Sequence, residues 1–539
     1  MRRKFVHNDL RKSVMTWAKR ETIERLFQEA CRLEVVDAHT HIQDDLTDFD
    51  DAMAARNLAG TQASVNAFPQ SVIEAGLKQK RLVRRTMTDV THSLLYSWFA
   101  EIAEGRRGKL DSVLNAIGGN SEQERRHAGR LLLGELQDSR YSEYAEWLRF
   151  MFRLYGGTDA ADPLDPACFD QVYDAVHRQR NDLAFAGQVL RQHNIIGYVT
   201  SLENRDRIPA DSKMARVGEV DLAHATHPEA FNMFDAHYFV WPEGATDFGL
   251  FTGGHKFEGE KYLINLERIL GRTIQNVGHL KEGIKSFLMR ILYSPTHNPT
   301  SRVRYTNLFH PMSYRFGRPY DTAAVNTSIR YRKEFLRAED LVQLTAVSTE
   351  AMLEALDEIG ADLKQHGAEY GSCLQIAIGV TYFMDQAREI QSFPCYAPAL
   401  PQDEYPVWTN YPNIHFEYIV AQEQLYGDLA NAAKQVGNVS VGPWWHFFRK
   451  HKIAAMMHDQ LSMGPISSIA SGFTDARFVE MLAAKYQSVR WAVAAALAEF
   501  VDDPASSMNH DAAVRVMREI LFVNPVKVHH LPVDVADRK

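Results

Sequence analysis

Two histidines, His39 and His41, close the apolar run Leu33-Glu34-Val35-Val36-Asp37-Ala38-His39-Thr40-His41. Side chains alternate faces along a strand, so residues two apart point the same way. In that conformation His39 and His41 can hold one divalent ion through imidazole nitrogens. They follow the β-branched residues and so fall at the C-terminal end of the strand. In an α/β barrel that is the end where active sites are built. A centre of this kind needs a further ligand, usually a carboxylate. Asp475 is the candidate, placed after a second apolar run, Ile466–Phe473. It can ligate the ion or take a proton from bound water or substrate. Arg477, two residues on, can hold a substrate carboxylate or an oxyanion through two parallel hydrogen bonds. Alone, Asp-x-Arg reads as a helix N-cap. With the histidine pair on the first strand it reads as the other half of one site, because first and last strands are neighbours in a closed barrel.

Further residues could complete such a site. Trp444 and Trp445 follow the run Val439–Pro443, and aromatic faces there can wall a sugar pocket. Adjacent residues point oppositely on a strand, so one of the two is expected in the core. His446 can reach the same mouth or simply begin a helix. His237 falls on an expected strand, Met233–Val240, as an extra ligand or an acid/base. His415 and Glu417 share a strand face by spacing. The pair His529-His530 is expected to be exposed. With 22 histidines in the chain, chance pairings are common, so spacing alone decides none of these.

The elements that must position these groups are spread over 539 residues, room for one large barrel with insertions or two to three ordinary domains. Hydrophobic residues at 45% and charged residues at 24% match soluble globular chains. A net charge of −8 gives no global basic field, so nucleic acid and anionic lipid are not expected partners. Four widely spaced cysteines without a CxxC pair argue against a disulfide framework or a cysteine zinc site. The basic N-terminus lacks an apolar h-region and no run of 18 apolar residues occurs, so neither a secretory signal nor a membrane span is expected. The expected location is the cytoplasm.

Helices are predicted over 9–31, within 70–155, over 168–192, near 280–292, and over 338–366, 478–500 and 510–521. Strands are predicted at 194–200, 374–380, 415–420, 439–445 and 466–473. A long loop is expected at 294–320. Strand–helix alternation over this length argues for a parallel sheet, most simply a closed barrel. We therefore expect an N-terminal helical segment, 1–32, then one barrel over 33–539. A helical insertion falls at about 65–190 and a loop and helix insertion at about 241–335.

An ordered set of short motifs resembles the amidohydrolase superfamily and, within it, the uronate (glucuronate) isomerases. Ala38-His39-Thr40-His41 is similar to that family's first-strand histidine pair. Leu95-Tyr96-Ser97-Trp98 is similar to its Leu-Tyr-x-Trp, and Gln375-Ile376-Ala377-Ile378-Gly379 to its Gln-Leu-His-Ile-Gly strand. Gly442-Pro443-Trp444-Trp445-His446-Phe447 resembles its Trp-Trp-Phe segment, and Thr474-Asp475-Ala476-Arg477 its Thr-Asp-Ser-Arg. The resemblance runs from about residue 33 to 500. It implies a divergent member with a distorted (β/α)8 TIM-like barrel and an α-helical insertion. It also implies one divalent ion, zinc or manganese, on His39, His41 and Asp475, with Arg477 on substrate. Ala377 stands where the family strand has histidine, Thr200-Ser201-Leu202-Glu203-Asn204 where it has Thr-Thr-Asp-Asp-Pro, and the family's Asp-His-Tyr-Lys-Trp-Arg segment has no counterpart. The expected activity is aldose–ketose isomerisation of a uronate or a related oxygen-rich carboxylic acid, by a homo-oligomer acting on a small molecule. The alternative is a hydrolase or lyase that cleaves an amide, ester or C–C bond with a metal-activated water.

Overall fold

The computed structural model describes residues 18–40, 42, 87, 121–156, 162–179, 182–202, 230–235, 267, 271–292, 306–309, 319–331, 338–378, 406–420, 423–443, 449–470, 472–476, 478–531 and 533–535. Within them runs a seven-stranded sheet in strict sequence order. The strands are β1 (Val35–Thr40), β2 (Ile195–Leu202), β3 (Ala230–Asp235), β4 (Thr306–Phe309), β5 (Ser372–Ile378), β6 (Ile414–Val420) and β7 (Val439–Pro443). Every neighbouring pair is parallel. Parallel neighbours need long crossovers, and among the described residues helices lie between β1 and β2, β3 and β4, β4 and β5, and β6 and β7. Both faces of such a sheet are covered, which is why its strands read as apolar runs. β1, β6 and β7 are buried along their whole length.

After β7 the chain returns to β1. Ile469 bridges Val441 and Ala476 bridges Thr40, both in parallel. The Ala470 N–H donates to Val441 O at 3.1 Å, Ala38 N–H to Gly472 O at 2.7 Å and Asp475 N–H to His39 O at 3.0 Å. Hydrogen bonding thus passes from β7 through residues 469–476 to β1. The approach is close enough to require glycine. A Cβ on Gly442 would lie 2.3 Å from Ala470 O, and one on Gly472 2.5 Å from the Tyr486 hydroxyl.

The sheet has two unlike faces. Val35, Ile195, Tyr198, Leu374, Ile376, Ile414, Phe416 and Tyr418 join the large core shared with the helices. Val36, Val199 and Cys373, out of phase with them, pack instead on Phe522, Val523, Val526, Val528 and Leu531 of the C-terminal segment. That segment is the π-helical turn Glu519–Val523 and the helix Asn524–Val528. The expected helix over 510–521 is therefore Arg518-terminated and continues in altered pitch, so that this apolar surface turns onto the sheet.

The first helix, Arg20–Arg32, is amphipathic, with Thr22, Leu26 and Ala30 buried at four-residue spacing. Asp502, at the end of the helix Val479–Asp502, accepts from Lys19 N–H at 2.7 Å and from the Thr22 hydroxyl at 2.9 Å. One carboxylate so caps the start of one helix from the end of another. The helix expected over 168–192 is two, Phe169–Gln179 and Leu183–Gln192. The Asp182 carboxylate accepts from the Ala184 and Phe185 N–H groups and starts the second, a cap worth about 1 kcal/mol. The loop expected at 294–320 contains β4, and the strand expected at 233–240 is met by β3 over its first three residues, 236–240 lying outside the described residues. The strand expected over 466–473 begins instead as the 3-10 turn Ile466–Ser468. Among the described residues no helix is long and apolar enough to cross a membrane.

Candidate functional site

β1 does not keep a simple alternation. Asp37 pairs with Tyr198 and Thr40 with Thr200, three residues against two, so the register slips by one across Ala38 and His39. The slip is tied down locally, since Asp37 Oδ1 accepts from the His39 N–H at 2.9 Å. Burial pushes the Asp37 carboxyl up to about 8, against the pull of Thr474, the His39 N–H and the Lys485 charge. Lys485 Nζ donates to Thr474 O, and the Tyr486 hydroxyl to Val36 O at 2.7 Å. The long buried helix 479–502 thereby holds β1 and the returning segment side by side.

Asp475 is brought to His39 by that segment. Its φ of 53° lies in the left-handed region, a conformation Asp tolerates better than most residues. His39 Nε2 lies 3.7 Å from Asp475 Oδ1, and both side chains are almost wholly buried. That separation exceeds a hydrogen bond. It suits two ligands of one ion, since donors about 2.1 Å from a tetrahedral zinc lie about 3.4 Å apart. The nitrogen and carboxylate donors therefore fit a divalent ion of the zinc or manganese type. His41, Arg477, His237, Trp444, Trp445 and His446 lie outside the described residues.

Four further polar side chains, Gln375, Glu417, His529 and His415, are buried as well. Gln375 Oε1 lies 3.2 Å from His39 Nδ1. Gln375 Nε2 donates to Ala38 O at 2.9 Å and to Glu417 Oε2 at 2.7 Å. Glu417 Oε2 in turn lies 3.0 Å from His529 Nε2. Burial pushes the Glu417 carboxyl up, yet His529 and the Gln375 hydrogen bond outweigh it and hold it below its usual range. His415, beside it, is driven down to about 4 by burial against the opposing Glu417 charge. Its Nε2 lies 2.9 Å from the Ser440 hydroxyl, and Tyr370 meets its ring edge-on.

His529 and His530 are thus not exposed, contrary to expectation. His529 is 2% accessible, and His530 Nε2 contacts Gly371 O at 2.6 Å. The fold of residues 519–531 onto the sheet buries them, which no local pattern announces. Cys373, Glu417 and His529 form a second group, with ligand atoms all within 4.8 Å of one another. Burial and the Glu417 charge push the Cys373 thiol well up. This set can also hold a soft divalent ion, though Glu417 and His529 already touch directly, at 3.0 Å.

Sequence reasoning placed His39 and Asp475 together and paired His415 with Glu417 on one face. It missed Gln375, Cys373 and His529. A carboxylate inside the wholly buried strand Ile414–Val420 was the available signal, because a buried charge demands a partner.

No protein-family profile matches the chain, and no curated protein matches it by sequence. Its fold has solved counterparts. A uronate isomerase from Thermotoga maritima superposes with a TM-score of 0.62 at 12% identity, over 95% of this chain and 98% of that one. The glucuronate isomerase of Caulobacter crescentus gives 0.61 at 13% identity, over 96% and 95%. A uronate isomerase from Bacillus halodurans C-125 gives 0.55 at 15% identity, over 96% and 98%. The chain therefore has the uronate isomerase fold, in keeping with the ordered motifs of its sequence. At such identities the likeness speaks for the fold and not for the reaction.

Proposed function

We propose that the chain is a metal-dependent enzyme built on a distorted (β/α)8 barrel, residues 33–539, in which residues 469–476 act as the eighth strand. Its insertions fall at about 65–190 and 241–335, and 1–32 is an N-terminal helical segment. The observation that carries the reading is His39 Nε2 facing Asp475 Oδ1 across 3.7 Å at the C-terminal ends of the first and last strands. His39, His41 and Asp475 hold one divalent ion. When bound, that ion polarises a substrate oxygen and lowers the pKa of a coordinated hydroxyl or water. Asp475 moves a proton, Arg477 holds a substrate carboxylate, and Trp444, Trp445 and His446 line the mouth, with His237 as a further acid/base. The substrate is a uronate or a related oxygen-rich carboxylic acid, and the reaction is aldose–ketose isomerisation.

A second reading is favoured by Ala377, which leaves the motif strand without its histidine. A lost proton carrier costs on the order of 10²–10⁴-fold in rate. In this reading the same site cleaves an amide, ester or C–C bond. Metal-loaded protein assayed in D₂O with glucuronate and galacturonate, then with an amide and ester panel, tests both. Rapid uronate turnover with exchange at C2 establishes isomerisation. Release of two fragments from an amide or ester establishes the cleavage reaction. Metal content assigns the ion: His39→Ala with His41→Ala should be empty and Cys373→Ser fully loaded, and the reverse pattern would put the ion on Cys373, Glu417 and His529.

A further inference from the structure

The buried polar groups form one chain through the sheet interior: Asp475, His39, Gln375, Glu417, His529. Its centre is an amide, and an amide has direction. Both hydrogens of Gln375 Nε2 are committed to groups that can only accept, the Ala38 carbonyl at 2.9 Å and the Glu417 carboxylate at 2.7 Å. Rotating the amide by half a turn would bring its oxygen against both of these oxygens, which is repulsive. Gln375 Oε1 therefore faces His39 Nδ1, at 3.2 Å, and can only accept there. The proton of the neutral imidazole must then sit on Nδ1, and Nε2 presents a lone pair towards Asp475. A metal-binding imidazole needs that arrangement, with the outer nitrogen fixed by a hydrogen bond.

We infer that Gln375 and Glu417 are positioning residues that lock His39 in its Nδ1-protonated form, with His529 of the C-terminal turn anchoring Glu417. The ligating nitrogen on the first strand is thus set from the opposite end of the sheet. The link to metal rests on the reading of His39 as a ligand through Nε2; the protonation pattern does not. His529 is far along the chain from His39, so the C-terminal segment becomes part of the site without touching substrate.

The test reads protonation and metal affinity separately. In full-length protein without metal, labelled with ¹⁵N-histidine, the His39 ring signals are assigned by their loss in His39→Ala. Wild type should show Nδ1–H with Nε2 unprotonated. Gln375→Met keeps the volume but neither donates nor accepts, and should shift His39 towards the Nε2–H form. Glu417→Gln removes one of the two oxygens that oppose the turned amide and leaves the Ala38 carbonyl, so it should shift His39 the same way but less than Gln375→Met does. Zinc affinity, measured by chelator competition, should fall about 10–100-fold in both variants. Nε2–H in wild type, or an unchanged tautomer in both variants, overturns the inference. If wild type binds no zinc while the tautomer responds as stated, the positioning role stands and the metal reading of His39 fails.

Discussion

The two ends of the sheet interior carry the same chemistry at different spacing. Near the C-terminal ends of the strands His39 faces Asp475 across 3.7 Å, and deeper in, His529 faces Glu417 across 3.0 Å. Each pair is an imidazole and a carboxylate, and each is nearly inaccessible. The nearer pair is in direct contact, with Gln375 also donating to its carboxylate. The wider pair is beyond hydrogen-bond reach and leaves room for a third group between the donors. Spacing therefore separates a closed tie, which fastens the C-terminal segment to β6, from a pair whose separation suits two ligands of one ion. Seclusion and charge do not distinguish them.

Breaking the wider pair should affect chemistry most. His39→Ala with His41→Ala should lose bound metal and activity together, which metal analysis and turnover check. Asp475→Asn should cut turnover on the order of 10²–10⁴-fold. Asn tolerates the left-handed backbone there, so in metal-free protein its unfolding free energy should stay within about 1 kcal/mol of wild type. A larger loss would make this pair as structural as the other.

Breaking the nearer pair should cost stability instead. His529→Leu strands a buried carboxylate and should cost about 3–5 kcal/mol in denaturant unfolding. Adding Glu417→Leu should recover most of it, because the uncompensated charge is then gone. If the double variant is as unstable as the single one, the pair's value lies in packing rather than charge.

His415 should give the interior a pH signature. Its folded pKa, about 4, lies below the unfolded value of 6.5. Its contribution is complete above 6.5 and is lost as pH falls towards 4, because only the unfolded chain takes up the proton. The loss should total about 3 kcal/mol, at about 1.4 kcal/mol per unit. His415→Asn should flatten that slope in unfolding measured between pH 7 and 4.

The smallest expected effect is at Arg477. Arg477→Lys should lower kcat/KM about 10- to 100-fold on the true substrate, the range of one or two charged hydrogen bonds, with metal content unchanged. Wild-type kinetics would make Arg477 structural.

Much of this was legible in the chain. β5, β6 and β7 were visible as apolar runs because a sheet covered on both faces asks for them. The helices expected over 9–31, 338–366 and 478–500 are met by Arg20–Arg32, Ala338–Gln365 and Val479–Asp502, with 9–17 outside the described residues. β4 was hidden because four residues cannot establish a period among polar neighbours. The slip in β1 was hidden because a bulge is defined by the partner strand's register, which the strand's own residues do not carry.

The sequence by itself determined which side chains could do chemistry and in what order they come. It offered His39 and His41 after the first strand and Asp475 after the last, and it put Glu417 where only a partnered charge can survive. Tertiary structure alone decided which of these groups meet, and at what distance. Gln375 lies 336 residues from His39, and His529 arrives from the far end of the chain by a helix of altered pitch. Contacts of that range follow from how crossovers and the terminal segment pack, and whether an acid and a histidine form a tie or a site turns on less than an ångström of that packing.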